Sequence, residues 1–212
     1  MALLLCGPML TSGGTAAQAL EPAVPAAGAD HLRRFLDETL TFQATFEQQL
    51  LGPGREVIER ATGTLSLKRP NRFLWSYDAP VEQLVVADGS DLWIYDVELA
   101  QATVTPLDDT VSVTPAMLLS GNKPLEDGFE ILESFDADDL SWVRLVPKTQ
   151  DTDFQEVLIG FRVGMLASLR LLDSLNQVTS IEFMNVELNR ELDDSAFEFT
   201  PPPGVDVIGG RG

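Results

Sequence analysis

From residue 41 onward, apolar side chains recur at every second position through one short segment after another, and the gaps between segments are too short to hold crossover helices. Alternation at period two marks a strand with one face buried and one face wet. Phe42, Ala44 and Phe46 alternate with Gln43, Thr45 and Glu47, and Leu65 and Leu67 alternate with Thr64 and Ser66. Phe73, Trp75 and Tyr77 share one face of a segment whose other face carries Arg72, Leu74 and Ser76. Asp88-Gly89 is a hairpin turn between residues 83–86 and 92–95. Further strands are expected over residues 100–105, 129–135, 140–147, 155–163, 165–172, 177–188 and 197–199. Roughly eleven antiparallel strands joined this way bury one face by curving, so the expected fold is mainly β, a strongly curved single sheet or a barrel. Its concave face must be filled by the chain's own helix or left as a cavity for an apolar ligand.

Two segments break the alternation. Residues 30–40 place Leu32, Phe35, Leu36 and Leu40 at helical spacing behind Asp30, a candidate N-cap. Later, Thr114 as cap, Pro115 at the first helical position, Met117-Leu118-Leu119 and a Gly121 stop make a short helix. It is too small to be a core element alone, and an apolar helix inserted between strands suits a plug or lid.

Composition removes whole classes of function. Fourteen Lys and Arg stand against 33 Asp and Glu, a formal charge of -19, so the surface repels phosphate backbones and nucleic acid is excluded as a partner. The acidity serves either solubility or steering toward basic partners, and the sequence leaves both open. Cysteine occurs once, at Cys6, and histidine once, at His31, which leaves no disulfide, no thiol–imidazole pair and no His/Cys metal cluster. His31, beside Arg33 and Arg34, is expected to face solvent, and Trp93 and Tyr95 to pack the sheet. Residues 1–19 run apolar and end in Ala17-Gln18-Ala19, an expected signal peptide with its cleavage site. A lipid anchor at Cys6 is the weaker reading, because Leu5 precedes it where a small residue is wanted. Residues 20–29 read as a flexible Pro/Ala/Gly stretch, and residues 30–212 as one domain with no later membrane-length apolar run.

The motifs, taken in order, resemble the outer-membrane lipoprotein carrier (LolA-type) family. The run from Gly63 through Lys68-Arg69-Pro70 to Phe73-Leu74-Trp75 is similar to its signature; Val85-Val86-Ala87-Asp88-Gly89, Leu92-Trp93-Ile94-Tyr95-Asp96 and Gln101-Ala102-Thr103-Val104 resemble its next pieces. Thr114-Pro115 with Met117-Leu118-Leu119 resembles its inserted helix, Leu145-Val146-Pro147-Lys148 its L-x-P-K strand, and Phe197-Glu198-Phe199-Thr200-Pro201-Pro202 its ending. Ser66 stands where the family often carries an aromatic.

The resemblance implies an incomplete, open antiparallel β-barrel of roughly eleven strands, with an N-terminal helix and a short inserted lid helix over an apolar cavity, no catalysis, and no cofactor or metal. It implies a monomer in the periplasm that takes lipid-modified lipoproteins from an inner-membrane ABC-type release complex and passes them to an outer-membrane lipoprotein receptor. It assigns Arg69 to the latch that holds the lid, through bonds to backbone carbonyls of the inserted helix. The acyl-chain cavity or its mouth is assigned to Phe73, Trp75, Tyr77, Phe46, Leu65, Met117, Leu118 and Leu119, with Phe73 nearest the mouth. Two other readings stay open at this point: the outer-membrane receptor of similar fold, which needs a cysteine at the cleavage site, and a carboxylate-based periplasmic hydrolase, which needs two convergent acids in a polar cleft.

Overall fold

A computed structural model describes residues 27–107, 115–121, 125–149, 152 and 154–210; the expected signal peptide and the Thr114 cap lie outside the described residues. Helix α1, Gly28–Glu38, is followed by β1 (Thr41–Leu51), β2 (Val57–Lys68), β3 (Arg72–Ala79), β4 (Gln83–Asp88), β5 (Asp91–Asp96) and β6 (Gln101–Pro106). Two short helices, α2 (Pro115–Ser120) and α3 (Leu125–Gly128), lead to β7 (Phe129–Ala137), β8 (Leu140–Pro147), β9 (Phe154–Arg162), β10 (Met165–Asp173) and β11 (Val178–Leu188). A 3-10 turn, Asp194–Phe197, and β12 (Asp206–Gly209) complete the chain order.

The strands form one sheet in the order β12-β6-β5-β4-β3-β2-β1-β11-β10-β9-β8-β7, with β7 and β12 at its two unjoined edges. Neighbours are antiparallel except β12, which runs parallel to β6. Side chains from β3 and β8, six strand spacings apart, belong to one buried cluster with α1 and α2. Helix α1 packs against β7 to β10 and α2 against β2 and β3, and Arg69 beside β3 bonds to both helices, so the sheet curls around them. This is the expected open half-barrel.

Its inner face carries Phe42 and Phe46 of β1, Leu65 and Leu67 of β2, Phe73 and Trp75 of β3, and Val157, Ile159 and Phe161 of β9, all buried. Part of the outer face is covered too. After β11 the chain crosses outside β3 and β4, where Lys68 pairs with Asp194 at 2.6 Å. Phe197 is wholly buried, and Phe199 lies 5.4 Å from Trp93 and 5.3 Å from Tyr95, ring centre to ring centre. Trp93 and Tyr95 therefore pack the sheet on its outer side. Farther round, Trp142 lies across β9, and the Arg170 guanidinium sits 4.4 Å from its ring centre. Gly160 makes room for it, since a Cβ there would meet the indole at 2.9 Å.

Four expectations change. Asp30 does not cap α1: Ala27 holds the cap position, and Asp30 pairs with Arg33 one turn on at 3.0 Å. Leu40 is 66% exposed and off the apolar stripe, because α1 stops at Glu38, where the Asn189 side chain takes both the Glu38 carbonyl and the Leu40 N–H. Residues 197–199 are not a strand: the Asp193 carboxylate accepts the Ser195 N–H at 2.9 Å and sets the 3-10 turn, which buries Phe197 on the outer side of the sheet. His31 does not simply face solvent, since its ring centre lies 5.9 Å from that of Phe161 and its Nδ1 is buried.

Candidate functional site

The alternation of β3 puts Phe73, Trp75 and Tyr77 on the inner face, two residues apart and between β2 and β4. Cross-strand neighbours Leu67 and Leu65 oppose Phe73 and Trp75. Phe46, from β1, meets Trp75 and Tyr77 edge to face at 5.4 and 5.3 Å, and Trp75 stacks on Tyr77 at 6.1 Å. The result is one aromatic wall running along the trough. Phe73, placed nearest the mouth by the family resemblance, is fully buried. At the far end the wall turns polar. Tyr77 donates from its hydroxyl to Gln48 Oε1 at 3.2 Å, and burial, then Glu59, pushes the phenol up to about 12. Tyr77 also lines a cleft of about 240 Å³ with Gln48, Glu59, Ala61, Pro80 and Gln83.

Leu32 and Phe35 of α1 and Ala116, Leu118 and Leu119 of α2 complete the buried cluster, with Met117 packed against its edge. The helices thus occupy the apolar trough. Both end beside the β2–β3 turn, and there Arg69 reaches them: Nη1 donates to the Leu36 carbonyl at 2.6 Å and Nη2 to the Leu119 carbonyl at 2.7 Å. A guanidinium suits this place because its fixed fork serves two carbonyls at once and its charge matches two helix C-termini. Its carbon also lies 5.2 Å from the Phe35 ring centre. Around it, the Arg69 N–H donates to Leu40 O at 2.9 Å and the Asn71 N–H to Ser120 O at 2.8 Å.

The arrangement has a cost. Burial pulls the Arg69 pKa down from the ordinary guanidinium range to about 10, with Asp37 offsetting part of the fall, and its Nε is buried without an acceptor among the described residues. Arg69 is still cationic at any physiological pH. The Leu36 carbonyl was not expected as an acceptor, since backbone oxygens carry no sequence mark. Nor did Leu32 and Phe35 read as site residues, because a helical apolar stripe looks the same on a core helix and on a plug. Ser66 turns outward to Gln43 at 3.2 Å and takes no part in the trough.

Among the described residues, no three His, Cys, Asp or Glu side chains are grouped to hold a metal ion, and no helix is long and apolar enough to cross a membrane. What fold and site define is an open half-barrel whose apolar inner face is stopped by two helices pinned through one arginine. Residues 37–200 match the family model of the outer membrane lipoprotein carrier protein LolA. The outer-membrane lipoprotein carrier protein of Nitrosospira multiformis is 42% identical over 184 residues, 86% of this chain and 89% of that one. That of Nitrosomonas europaea is 41% identical over 87% of this chain and 90% of its own. An uncharacterized conserved protein from Thermus thermophilus shares the fold, with a TM-score of 0.53 at 14% identity over 85% of this chain and 97% of that one. The chain belongs to the outer membrane lipoprotein carrier protein (LolA) family.

Proposed function

We propose that the chain is a non-enzymatic periplasmic carrier, which receives the acyl chains of lipoproteins released from the inner membrane and delivers them to an outer-membrane receptor. The observation that carries this reading is the latch: two helices occupy an apolar trough, and polar bonds from Arg69 to Leu36 and Leu119 hold both ends. Three acyl chains hold on the order of 45 methylenes, and at about 0.8 kcal/mol each their unaided departure from a bilayer costs roughly 35 kcal/mol. A carrier must hide those chains yet give them up to a receptor with no further energy input. A trough that refills with its own helices does both, because closure competes with cargo. Charge-assisted bonds contribute about 1.5–3 kcal/mol each, and the desolvated, partly unpaired guanidinium offsets some of that, so closure is modest. The names of the curated relatives support the same cargo class.

Mass spectrometry of the protein purified from its native periplasm, with titration of an apolar fluorescent probe, tests the reading. The expected result is co-purified lipoprotein and saturable probe binding. Absence of both would contradict it.

A further inference from the structure

Trp75 is 4% exposed, and its indole N–H has no acceptor among the described residues. The ring sits among apolar and aromatic neighbours: Leu65 across β2, Val85 across β4, Phe46 edge to face and Tyr77 stacked. The nearby polar groups are engaged with each other, since the Tyr77 hydroxyl donates to Gln48. A buried donor left unpaired is unfavourable, and the closed trough carries that cost at the middle of its aromatic wall. Phenylalanine at this position would keep an aromatic ring in the wall and remove the donor.

An acyl-chain cargo changes the balance. Alkyl chains bring no acceptor, but the linkages that fix them to a lipid-modified cysteine do: two ester carbonyls on the glyceryl group and one amide carbonyl on the nitrogen. Buried in an apolar trough, each of these oxygens needs a donor. Resting on the acyl-carrier reading, we infer that the Trp75 indole N–H is a specificity-determining donor, which pairs with an ester carbonyl of the loaded anchor. Loading then satisfies a buried donor and a buried acceptor in one bond. The site thereby distinguishes acyl esters from bare hydrocarbon or detergent tails of equal length, which a purely apolar cavity cannot do.

The test compares two short-chain S-glyceryl cysteine peptides of equal length, one with two ester-linked chains and one with two ether-linked chains lacking the carbonyls. Binding to the full chain and to Trp75→Phe is read by displacement of an apolar fluorescent dye. Wild type is expected to favour the ester by about three- to tenfold, the range of a net neutral hydrogen bond. Trp75→Phe is expected to lose or reverse that preference, the ester-to-ether ratio being taken within each protein so that any loss of apolar contact with the wall enters both affinities alike. A preference equal in both proteins, or absent from wild type, would overturn the inference while leaving the carrier reading standing. Failure of both peptides to displace the dye from wild type would overturn the carrier reading as well. Should Trp75→Phe fold poorly, the indole N–H resonance of 15N-labelled wild type decides: a downfield shift with ester and none with ether supports the donor, and equal shifts contradict it.

Discussion

Arg69 is buried enough to lower its pKa to about 10, yet it keeps one donor unpaired, so its charge holds the helices without holding them tightly. Tyr77 offers a cleaner titration. Its folded pKa of about 12 exceeds the ordinary 10, so the folded state holds the phenolic proton more firmly than the unfolded chain does. That contribution to stability is complete below pH 10 and is lost as pH rises through 12. In a Tyr95→Phe variant, absorbance at 295 nm is therefore expected to rise around pH 12; a rise around pH 10 would place Tyr77 in solvent. Phe73 is fully buried under the helices, so Phe73→Glu places an unpaired carboxylate in the core. We expect it to lower stability by at least about 3 kcal/mol in urea unfolding, and a loss under about 1 kcal/mol would show that the ring is not in the core.

At the scale of elements, strands were legible wherever apolar and polar residues alternate, and β1, β3, β5 and β8 to β11 fall close to where that pattern places them. Several of the failures trace to a partner distant in sequence. The end of α1 is set by Asn189, about 150 positions away along the chain, which no local periodicity reports. Phe197-Glu198-Phe199 alternates like a strand, but Asp193 turns the backbone and both rings pack outside the sheet. β12 is four exposed residues between Pro and Gly residues, whose partner is the edge of β6, too short to show a period of its own. The aromatic wall was legible from β3 alone, whereas the acceptors of Arg69 are backbone oxygens. Gly160 tests the outer packing: Gly160→Val drives a side chain into Trp142, with an expected cost of about 1–3 kcal/mol in the same urea assay. Unchanged stability would mean that Trp142 does not lie across β9.

Over the whole molecule, the sheet is stiffened from outside and stopped from inside. The C-terminal crossing and the Trp142–Arg170 stack cover outer patches, while α1 and α2 fill the trough through apolar contacts and one arginine. A change of state that releases the helices therefore leaves the β-framework its outer supports. Emptying the trough exposes apolar surface, so on the proposed carrier reading opening is favoured only when acyl chains replace the helices. In that proposed cycle the Arg69 bonds set the balance. Arg69→Leu removes both helix-end bonds and is expected to stabilise the loaded state relative to the closed one, with tighter retention of cargo; Arg69→Lys keeps a charge with fewer directed donors and falls between. The decisive measurement loads wild type and Arg69→Leu with the same lipoprotein and follows its transfer to the outer-membrane receptor. The account predicts that wild type hands over its cargo while Arg69→Leu retains most of it. Equal transfer by the two proteins would contradict the account and reduce Arg69 to a structural contact between a turn and two helices.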